Sequence, residues 1–193
     1  MKVAVLGTGM VGTAIATRLV ELGHDVRMGS RTPHNEMATS WAASTGASNG
    51  DFADAAAYGD LVVNATGGLV TLEVLRSAGT ENLAGKVVVD ISNPLDSSAG
   101  FPPELVFDGN KSVAEQVQEA FPAAKVVKAL NTVNADVMVH PEQLSQPGAV
   151  FLAGEDGDAK AMVQGVLAEF GWPADTVVDL GGIRADRGLE HYV

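Results

Sequence analysis

The fold is decided by the stretch Lys2-Val3-Ala4-Val5-Leu6-Gly7-Thr8-Gly9-Met10-Val11-Gly12. Its first five residues predict a short β-strand, and the G-x-G-x-x-G run behind them opens a segment with apolar residues at helical spacing. In this context Gly7 permits a tight turn, Gly9 lets a pyrophosphate approach the backbone, and Gly12 lets the helix pack close to the sheet. The run therefore predicts a dinucleotide held at a helix N-terminus, and a glycine-rich turn without a ligand is the alternative.

The same alternation of strand and helix continues along the rest of the chain. Predicted strands are Lys2–Leu6, Asp25–Met28, a weak one near Ala47, Leu61–Val63, Lys86–Ile91, Lys125–Leu130, Ala149–Ala153 and Thr176–Asp179. Predicted helices are Met10–Leu22, Asn35–Ser44, one from Asp51, Leu69–Ala78, Ser112–Phe121 with a Ser112/Glu115 capping box, and Asp158–Phe170. Nearly continuous Val and Ile strands between helices predict a doubly wound α/β fold with a mostly parallel sheet, the Rossmann fold.

Composition excludes several classes of function. The 193 residues include 12 Lys and Arg against 24 Asp and Glu, so a formal charge of −12 disfavours nucleic acid and anionic membranes as partners. The absence of cysteine removes disulfides, thiolate metal sites and a cysteine nucleophile, and the four histidines have no metal-ligand spacing, so we expect no metal. The N-terminus imitates a secretory signal, but its three glycines argue against one, and no apolar run is long enough to span a bilayer.

The end of the second strand predicts which dinucleotide binds. An acidic residue there would accept a hydrogen bond from the ribose 2′-hydroxyl of NAD, but the chain reads Gly29-Ser30-Arg31-Thr32. The hydroxyl of Ser30 and the planar guanidinium of Arg31 suit a 2′-phosphate, so NADP(H) is favoured, although Arg31 is alternatively a solvated loop charge. At the end of the fourth strand, Ala65 and Thr66 are small enough to let the nicotinamide ribose pass close to the backbone.

These motifs, together with Asp90-Ile91-Ser92-Asn93-Pro94 and Val126-Val127-Lys128-Ala129-Leu130-Asn131-Thr132-Val133-Asn134-Ala135, carry a resemblance over essentially the whole chain. The chain resembles the NADPH-dependent oxidoreductases that reduce or oxidise the deazaflavin coenzyme F-420, and their bacterial relatives. A similar nucleotide domain occurs in the cytosolic part of membrane ferric reductases. The resemblance implies that Thr8, Met10 and Val11 line the phosphates, that Ser30 and Arg31 bind the 2′-phosphate, and that Asn93, Pro94 and Asn131 border the hydride-transfer cleft.

Hydride transfer between a nicotinamide and a deazaflavin or flavin needs two rings held at reacting distance and no acid–base group. Asn131 and Thr132, at the end of their strand, are the candidate cleft-lining residues. Strand alternation places Lys128 on the opposite face from Asn131, so Lys128 is either a brace for a loop or helix or an electrostatic group facing the acceptor. Two alternatives to hydride transfer to a flavin remain: an NADP(H)-binding redox sensor without turnover, and a reductase of a small imine or ketone.

The length also bears on the acceptor site. A nucleotide fold uses most of residues 1–193 as a single domain, which leaves 149–193 as a small C-terminal extension that completes the acceptor cleft. We therefore expect a homodimer, in which a second copy supplies part of the cleft. A cofactor of the cell interior predicts a cytoplasmic protein.

Overall fold

A computed structural model of the protein describes residues 1–106, 110–146 and 148–192. The strands in this part of the chain are β1 (Lys2–Leu6), β2 (Asp25–Ser30), β3 (Ser48–Asp51), β4 (Leu61–Asn64), β5 (Val87–Asp90), β6 (Leu95–Asp96), β7 (Glu104–Leu105), β8 (Lys125–Ala129), β9 (Val150–Gly154) and β10 (Val177–Asp179). The helices are α1 (Met10–Glu21), α2 (Glu36–Thr45), α3 (Phe52–Tyr58), α4 (Thr71–Ala78), α5 (Thr80–Leu83), α6 (Val113–Ala120), α7 (Ala135–Val139), α8 (Gly157–Phe170) and α9 (Asp186–Glu190).

Eight of the strands form one sheet in the order β10-β9-β8-β5-β4-β1-β2-β3. The strands from β3 to β8 along this order are parallel to one another, whereas β9 runs antiparallel to β8 and β10 runs parallel to β9. The chain builds outward from β1 to β2 and β3, then returns to place β4 on the other side of β1. This reversal creates a crevice at the carboxyl ends of β1 and β4, the position where open α/β sheets bind their ligands. The predicted doubly wound, mostly parallel sheet is confirmed.

Both faces of the sheet are covered because successive strand residues point to opposite sides. In β1, Val3 and Val5 pack into the core beneath α1, α2, α7 and α8, while Ala4 and Leu6 pack into the core beneath α3, α4 and α6. All four side chains are fully buried. This two-sided burial explains why the strand sequences are apolar runs rather than alternating polar and apolar residues.

Local capping signals place several helix starts. The predicted capping box is present at α6, where the Ser112 hydroxyl accepts a hydrogen bond from the Glu115 amide and the Glu115 carboxylate accepts one from the Ser112 amide. Asn35 caps α2 and Asp51 caps α3 in the same manner. These polar residues satisfy amides that have no partner inside the helix and so fix where each helix begins.

Some elements differ from the sequence prediction. The helix expected from Leu69 begins with a 3-10 turn over Gly68–Val70, and α4 itself begins at Thr71. The segment between β5 and α6, where the sequence predicts neither a strand nor a helix, contains the antiparallel pair β6 and β7. The short helices α5, α7 and α9 were not predicted, because four or five residues are too few to show a helical period. Within the described ranges, no helix is long and apolar enough to cross a membrane.

Candidate functional site

The glycine-rich turn lies at the crevice between β1 and β4, and its three glycines meet different surroundings. Gly7 has a φ of 122°, and a β-carbon added to it would lie 2.6 Å from the carbonyl oxygen of Ala65. A β-carbon on Gly12 would overlap the carbonyl oxygen of Gly7, whereas one on Gly9 would have nothing within 4 Å. Gly7 and Gly12 are therefore required by the fold, and Gly9 faces open space at the start of α1.

The start of α1 offers an anion site. Gly9 is its N-cap residue and contributes no side chain to capping, so the amides of the first helical turn point toward the crevice. Unpaired amides and the positive end of the helix dipole together favour a phosphate at this position. The twelve-residue length of α1 gives the dipole its full effect at the crevice.

Two cavities open on either side of Gly9. The first, here the Ser30 cavity, has a volume of about 340 Å³ and is lined by Gly7, Thr8, Gly9, Ser30, Arg31, Asn35, Phe52, Ala65, Thr66, Gly67, Val70 and Val74. The second, the Asn131 cavity, has a volume of about 490 Å³ and is lined by Gly9, Met10, Val11, Ala65, Thr66, Gly67, Ile91, Ser92, Asn93, Leu95, Asn131, Val133, Asn134, Ala135 and Met138. Both include Gly9, Ala65, Thr66 and Gly67, so they are two halves of one cleft that meet at the helix N-terminus.

The Ser30 cavity combines a cationic end with an apolar wall. Arg31 is exposed, and its guanidinium has no ion-pair partner among the residues that the structure describes. Ser30 is buried, and its hydroxyl donates a hydrogen bond to the carbonyl oxygen of Thr32 at 2.7 Å, which shapes the loop that carries Arg31. Phe52 and Val74 supply apolar surface suited to a flat ring.

Sequence reasoning did not single out Asn35, Phe52, Val70 and Val74 as cavity residues. They come from three separate helix starts that the fold brings to the end of β2. One signal was present, since Phe52 directly follows β3 and therefore lies at the carboxyl edge of the parallel sheet.

The wall of the Asn131 cavity contains a reciprocal pair of amides. Asn131 donates from Nδ2 to Oδ1 of Asn93 at 2.9 Å, and Asn93 donates from Nδ2 to the backbone carbonyl of Asn131 at 2.8 Å. The second amide proton of Asn131 goes to the carbonyl oxygen of Leu189 at 3.1 Å. Leu130 has a left-handed backbone with a φ of 64°, which ends β8 and turns Asn131 into the cleft. The pair gives this wall a fixed shape.

Two other candidate residues lie beside this wall rather than on it. Thr132 lines a separate cavity of about 470 Å³, the Thr132 cavity, which shares Val133 and Asn134 with the Asn131 cavity. Pro94 is absent from the described lining of both halves of the cleft, and its carbonyl oxygen accepts a hydrogen bond from Val106 at 2.8 Å, which ties down the segment with β6 and β7. The structure thus brings Asn131 and Asn93 together in the wall of the Asn131 cavity, whereas Thr132 lines the neighbouring Thr132 cavity.

Beneath the Asn131 cavity lies a buried group of charges. Nζ of Lys128 lies 2.9 Å from Oδ2 of Asp90, 2.9 Å from Oε1 of Glu190 and 3.9 Å from Oδ2 of Asp186, and all four side chains are fully buried. Burial lowers the pKa of Lys128, but the three carboxyl groups outweigh it and raise that pKa above its usual value, so the ammonium stays charged.

Asp186 differs from the other carboxyl groups in this cluster. Burial raises its pKa to about 8, and within the described part of the chain neither of its oxygens has a hydrogen-bond partner. The raised pKa of Asp186 favours the protonated form of this carboxyl group. Nearby, Arg187 donates two hydrogen bonds, of 2.7 and 2.8 Å, to the carboxylate of Glu115 and lowers its pKa.

The described residues contain no cluster of three or more histidine or carboxylate side chains able to hold a metal. The cleft instead matches the outline of a dinucleotide: an anion site at a helix start, one half with a cation and apolar surface, and one half walled by amides and apolar side chains. The fold and the cleft together define a protein of the dinucleotide-binding Rossmann class.

Comparison with known proteins narrows this class. Residues 2–94 match the family model described as NADP oxidoreductase, coenzyme F420-dependent. The chain is 32% identical to the F420-dependent NADP reductase of Methanocaldococcus jannaschii, over 98% of this chain and 88% of that protein. It is 30% identical to the metalloreductase STEAP3 of Rattus norvegicus over 98% of this chain, but it spans only 36% of that protein's length. The chain belongs to this family of NADP-dependent oxidoreductases, which confirms the resemblance drawn from the sequence motifs.

Solved structures agree with this assignment. A crystal structure from Arthrobacter sp. FB24, provisionally named an F420-dependent NADP-reductase, superposes with a TM-score of 0.93 at 46% identity, covering 100% of this chain and 90% of that one. An imine reductase from Bacillus cereus superposes with a TM-score of 0.70 at 19% identity, covering 98% of this chain and 58% of that one. At that identity the second likeness establishes the fold alone.

Proposed function

We propose that the protein transfers hydride between NADP(H) and a deazaflavin, coenzyme F-420, or a flavin-like acceptor. The observation that carries this proposal is the meeting of the Ser30 and Asn131 cavities at Gly9, beside the N-terminus of α1. A dinucleotide has two nucleoside halves joined by a pyrophosphate, and the cleft has two halves joined at an anion site.

The chemistry of the two halves supports one orientation of the dinucleotide. Arg31, exposed and without an acidic partner in the described chain, suits the 2′-phosphate of the adenosine half through a bidentate contact. The apolar surface of Phe52 and Val74 suits the adenine ring. The nicotinamide half is then left for the Asn131 cavity, where the amides of Asn93 and Asn131 form one wall.

The lining of the Asn131 cavity fits hydride transfer better than acid–base catalysis. Its described residues include amides, hydroxyls and apolar groups, but no carboxylate, imidazole or ammonium. Bound NADPH supplies the hydride, so the protein's part is to position the ring and exclude water. Met10, Ile91 and Met138 provide apolar surface for that purpose, and the amide pair fixes the opposite wall.

The acceptor side leads us to include a second copy of the chain in this proposal. Tyr192 and Leu144 line the Thr132 cavity and expose apolar surface next to the nicotinamide half, which a partner copy would cover. A homodimer with this arrangement, acting in the cytoplasm where NADP(H) is found, would lose acceptor turnover on dilution before it lost NADPH binding. Equal loss of both on dilution would contradict the dimer.

An acceptor screen tests the proposed reaction. The protein is mixed with NADPH and, separately, a deazaflavin, a flavin, a quinone, a ferric chelate and a small cyclic imine, and oxidation is followed at the nicotinamide absorbance band. We expect the fastest turnover with the deazaflavin or flavin. Preferred reduction of the imine would overturn the acceptor assignment, and tight NADPH binding without turnover on any acceptor would indicate a redox sensor.

A further inference from the structure

Lys128 is buried directly beneath the cleft, and it uses all of its donors on groups that lead to the cleft wall. Its Nζ donates to Oδ2 of Asp90 at 2.9 Å, to Oε1 of Glu190 at 2.9 Å and to the backbone carbonyl of Ser92 at 2.5 Å. Lys128 is absent from the described lining of the cleft, so any effect on bound NADP(H) passes through these three partners.

The first route runs through Ser92. The carbonyl that binds Lys128 belongs to the peptide that links Ser92 to Asn93, so the ammonium fixes the orientation of that peptide. Asp90 stabilises the same turn through a second hydrogen bond, because its Oδ1 accepts from the Ser92 hydroxyl at 2.9 Å. Asn93 therefore leaves β5 in one direction and presents its amide to Asn131.

The second route runs through α9. Glu190, bound to Lys128, also accepts hydrogen bonds from the backbone amide of Val113 at 2.9 and 3.1 Å. These contacts hold α9 against the start of α6. The neighbouring residue Leu189 presents its carbonyl oxygen to the Asn131 amide. Both members of the amide pair are thus connected to one buried ammonium.

We propose that Lys128 is a positioning residue for the nicotinamide end of NADP(H): through the Ser92 carbonyl and through Glu190, it sets the Asn93–Asn131 amide pair that walls the Asn131 cavity. This inference rests on the proposed placement of the nicotinamide half. The chemistry of the cluster supports a role beyond packing, because apolar residues of similar volume would fill the same space without burying four titratable groups. An ammonium bound to three oxygens, by contrast, fixes three chain segments relative to one another.

The test compares how the two halves of the cofactor bind. Calorimetry gives dissociation constants for NADPH and for adenosine 2′,5′-bisphosphate, which lacks the nicotinamide half, in the wild type and in Lys128→Met. We expect the variant to bind the bisphosphate within about twofold of the wild type but to bind NADPH roughly tenfold more weakly. We also expect kcat for NADPH oxidation to fall more than the KM for the acceptor rises.

Two further variants keep the test decisive. Lys128→Met combined with Glu190→Gln removes one charge of each sign and leaves Asp90 with donors from Asn64 at 2.7 Å and from the Ser92 hydroxyl. This double variant serves if the single variant fails to fold. Val163→Ala truncates a buried residue of α8 that is absent from the described cleft lining, and controls for general loss of stability. We expect Val163→Ala to lower the melting temperature without changing the ratio of the two dissociation constants.

The outcomes separate this inference from the proposed function. The quantity compared is the dissociation constant for NADPH divided by that for the bisphosphate. If this ratio in both Lys128 variants equals that of the wild type, Lys128 is a purely structural residue and the inference is wrong. If the ratio of the dissociation constant for NADPH to that for the bisphosphate rises as expected, the inference stands even where no acceptor of the screen is reduced by the wild type, because the readout needs only binding. Failure of the proposed function appears in the wild-type screen alone.

Discussion

Replacing Gly9 with alanine should weaken NADPH binding while leaving the fold intact. Gly9 has a φ of −74° and a ψ of −176°, which alanine adopts without strain, and its β-carbon would have no neighbour within 4 Å. Removing the conformational freedom of glycine from the unfolded chain should then stabilise the protein by about 0.4–1 kcal/mol. The new methyl group occupies the space through which a phosphate approaches the first turn of α1.

The size of the binding defect follows from this geometry. A phosphate oxygen bonded to an amide lies about 2.7–2.9 Å from the nitrogen, whereas it needs roughly 3.5 Å from a methyl carbon. The pyrophosphate must move outward and lose at least one hydrogen bond to a charged group, worth about 1.5–3 kcal/mol. We therefore expect the dissociation constant for NADPH to rise by about 10- to 100-fold.

Gly12→Ala is the matched control, because it makes the same chemical change one helical turn away. Its β-carbon would overlap the Gly7 carbonyl oxygen, so the backbone must shift at a cost of about 1–3 kcal/mol. For a chain of this length that lowers the melting temperature by several degrees, at about 2–4 °C per kcal/mol. Fluorescence titration with NADPH and thermal unfolding by circular dichroism measure both quantities. If Gly9→Ala binds NADPH within twofold of the wild type, the pyrophosphate does not lie at this turn and our placement of the cofactor is wrong.

Three further predictions concern charged side chains. Arg31→Ala should raise the KM for NADPH by about 10- to 100-fold and change the KM for NADH by less than twofold, because only NADPH carries the 2′-phosphate. The control is Arg76→Ala, which removes an exposed arginine outside the described cleft lining and should change neither KM. Arg187→Met should reduce the loss of unfolding free energy at acid pH, measured by urea titration at several pH values. The lowered pKa of Glu115 gives the wild type about 1 kcal/mol or less of stability, which is present above pH 4.5 and is lost as the pH falls through the pKa of the folded state. Asp186→Asn should raise the melting temperature at pH 8 and leave it unchanged near pH 4. The pKa of Asp186 is raised from 3.8 to about 8, so the stability that this residue contributes is lost as the pH rises from 3.8 through about 8, whereas asparagine does not ionise. An unchanged melting temperature at pH 8 would show that Asp186 is not buried as a neutral acid.

Features encoded by neighbouring residues could be predicted from the sequence. The strand, turn and helix around Gly7 to Gly12 form as expected, and the close contact that requires glycine at position 12 is with the Gly7 carbonyl of the same turn. The Ser112 and Glu115 capping box is likewise complete within four residues. The family assignment followed from such local motifs, and the fold followed from their alternation.

The partners of Lys128 and Asn131 could not be predicted in the same way. Strand alternation correctly separates these two side chains, but Glu190 lies 62 residues from Lys128 along the chain, and Leu189 lies 58 residues from Asn131. The five-residue helix that carries both partners shows no periodic signal. Its position is set by tertiary contacts with Lys128 and with Asn131, which no local pattern reports.

The reversal of direction between β8 and β9 has a consequence for how this scaffold can change. In the parallel strands, the carboxyl ends reach the cleft, but β9 and β10 run the other way, so their amino ends do. Residues just ahead of these strands, such as Ala149 and Trp172, accordingly line the Thr132 cavity. Loops of altered length at these two points would reshape the Thr132 cavity without shifting a strand that carries the nucleotide motif. The nucleotide motif and these two loops thus lie on different strands, so the loops can change in length while the strands of the motif stay in place.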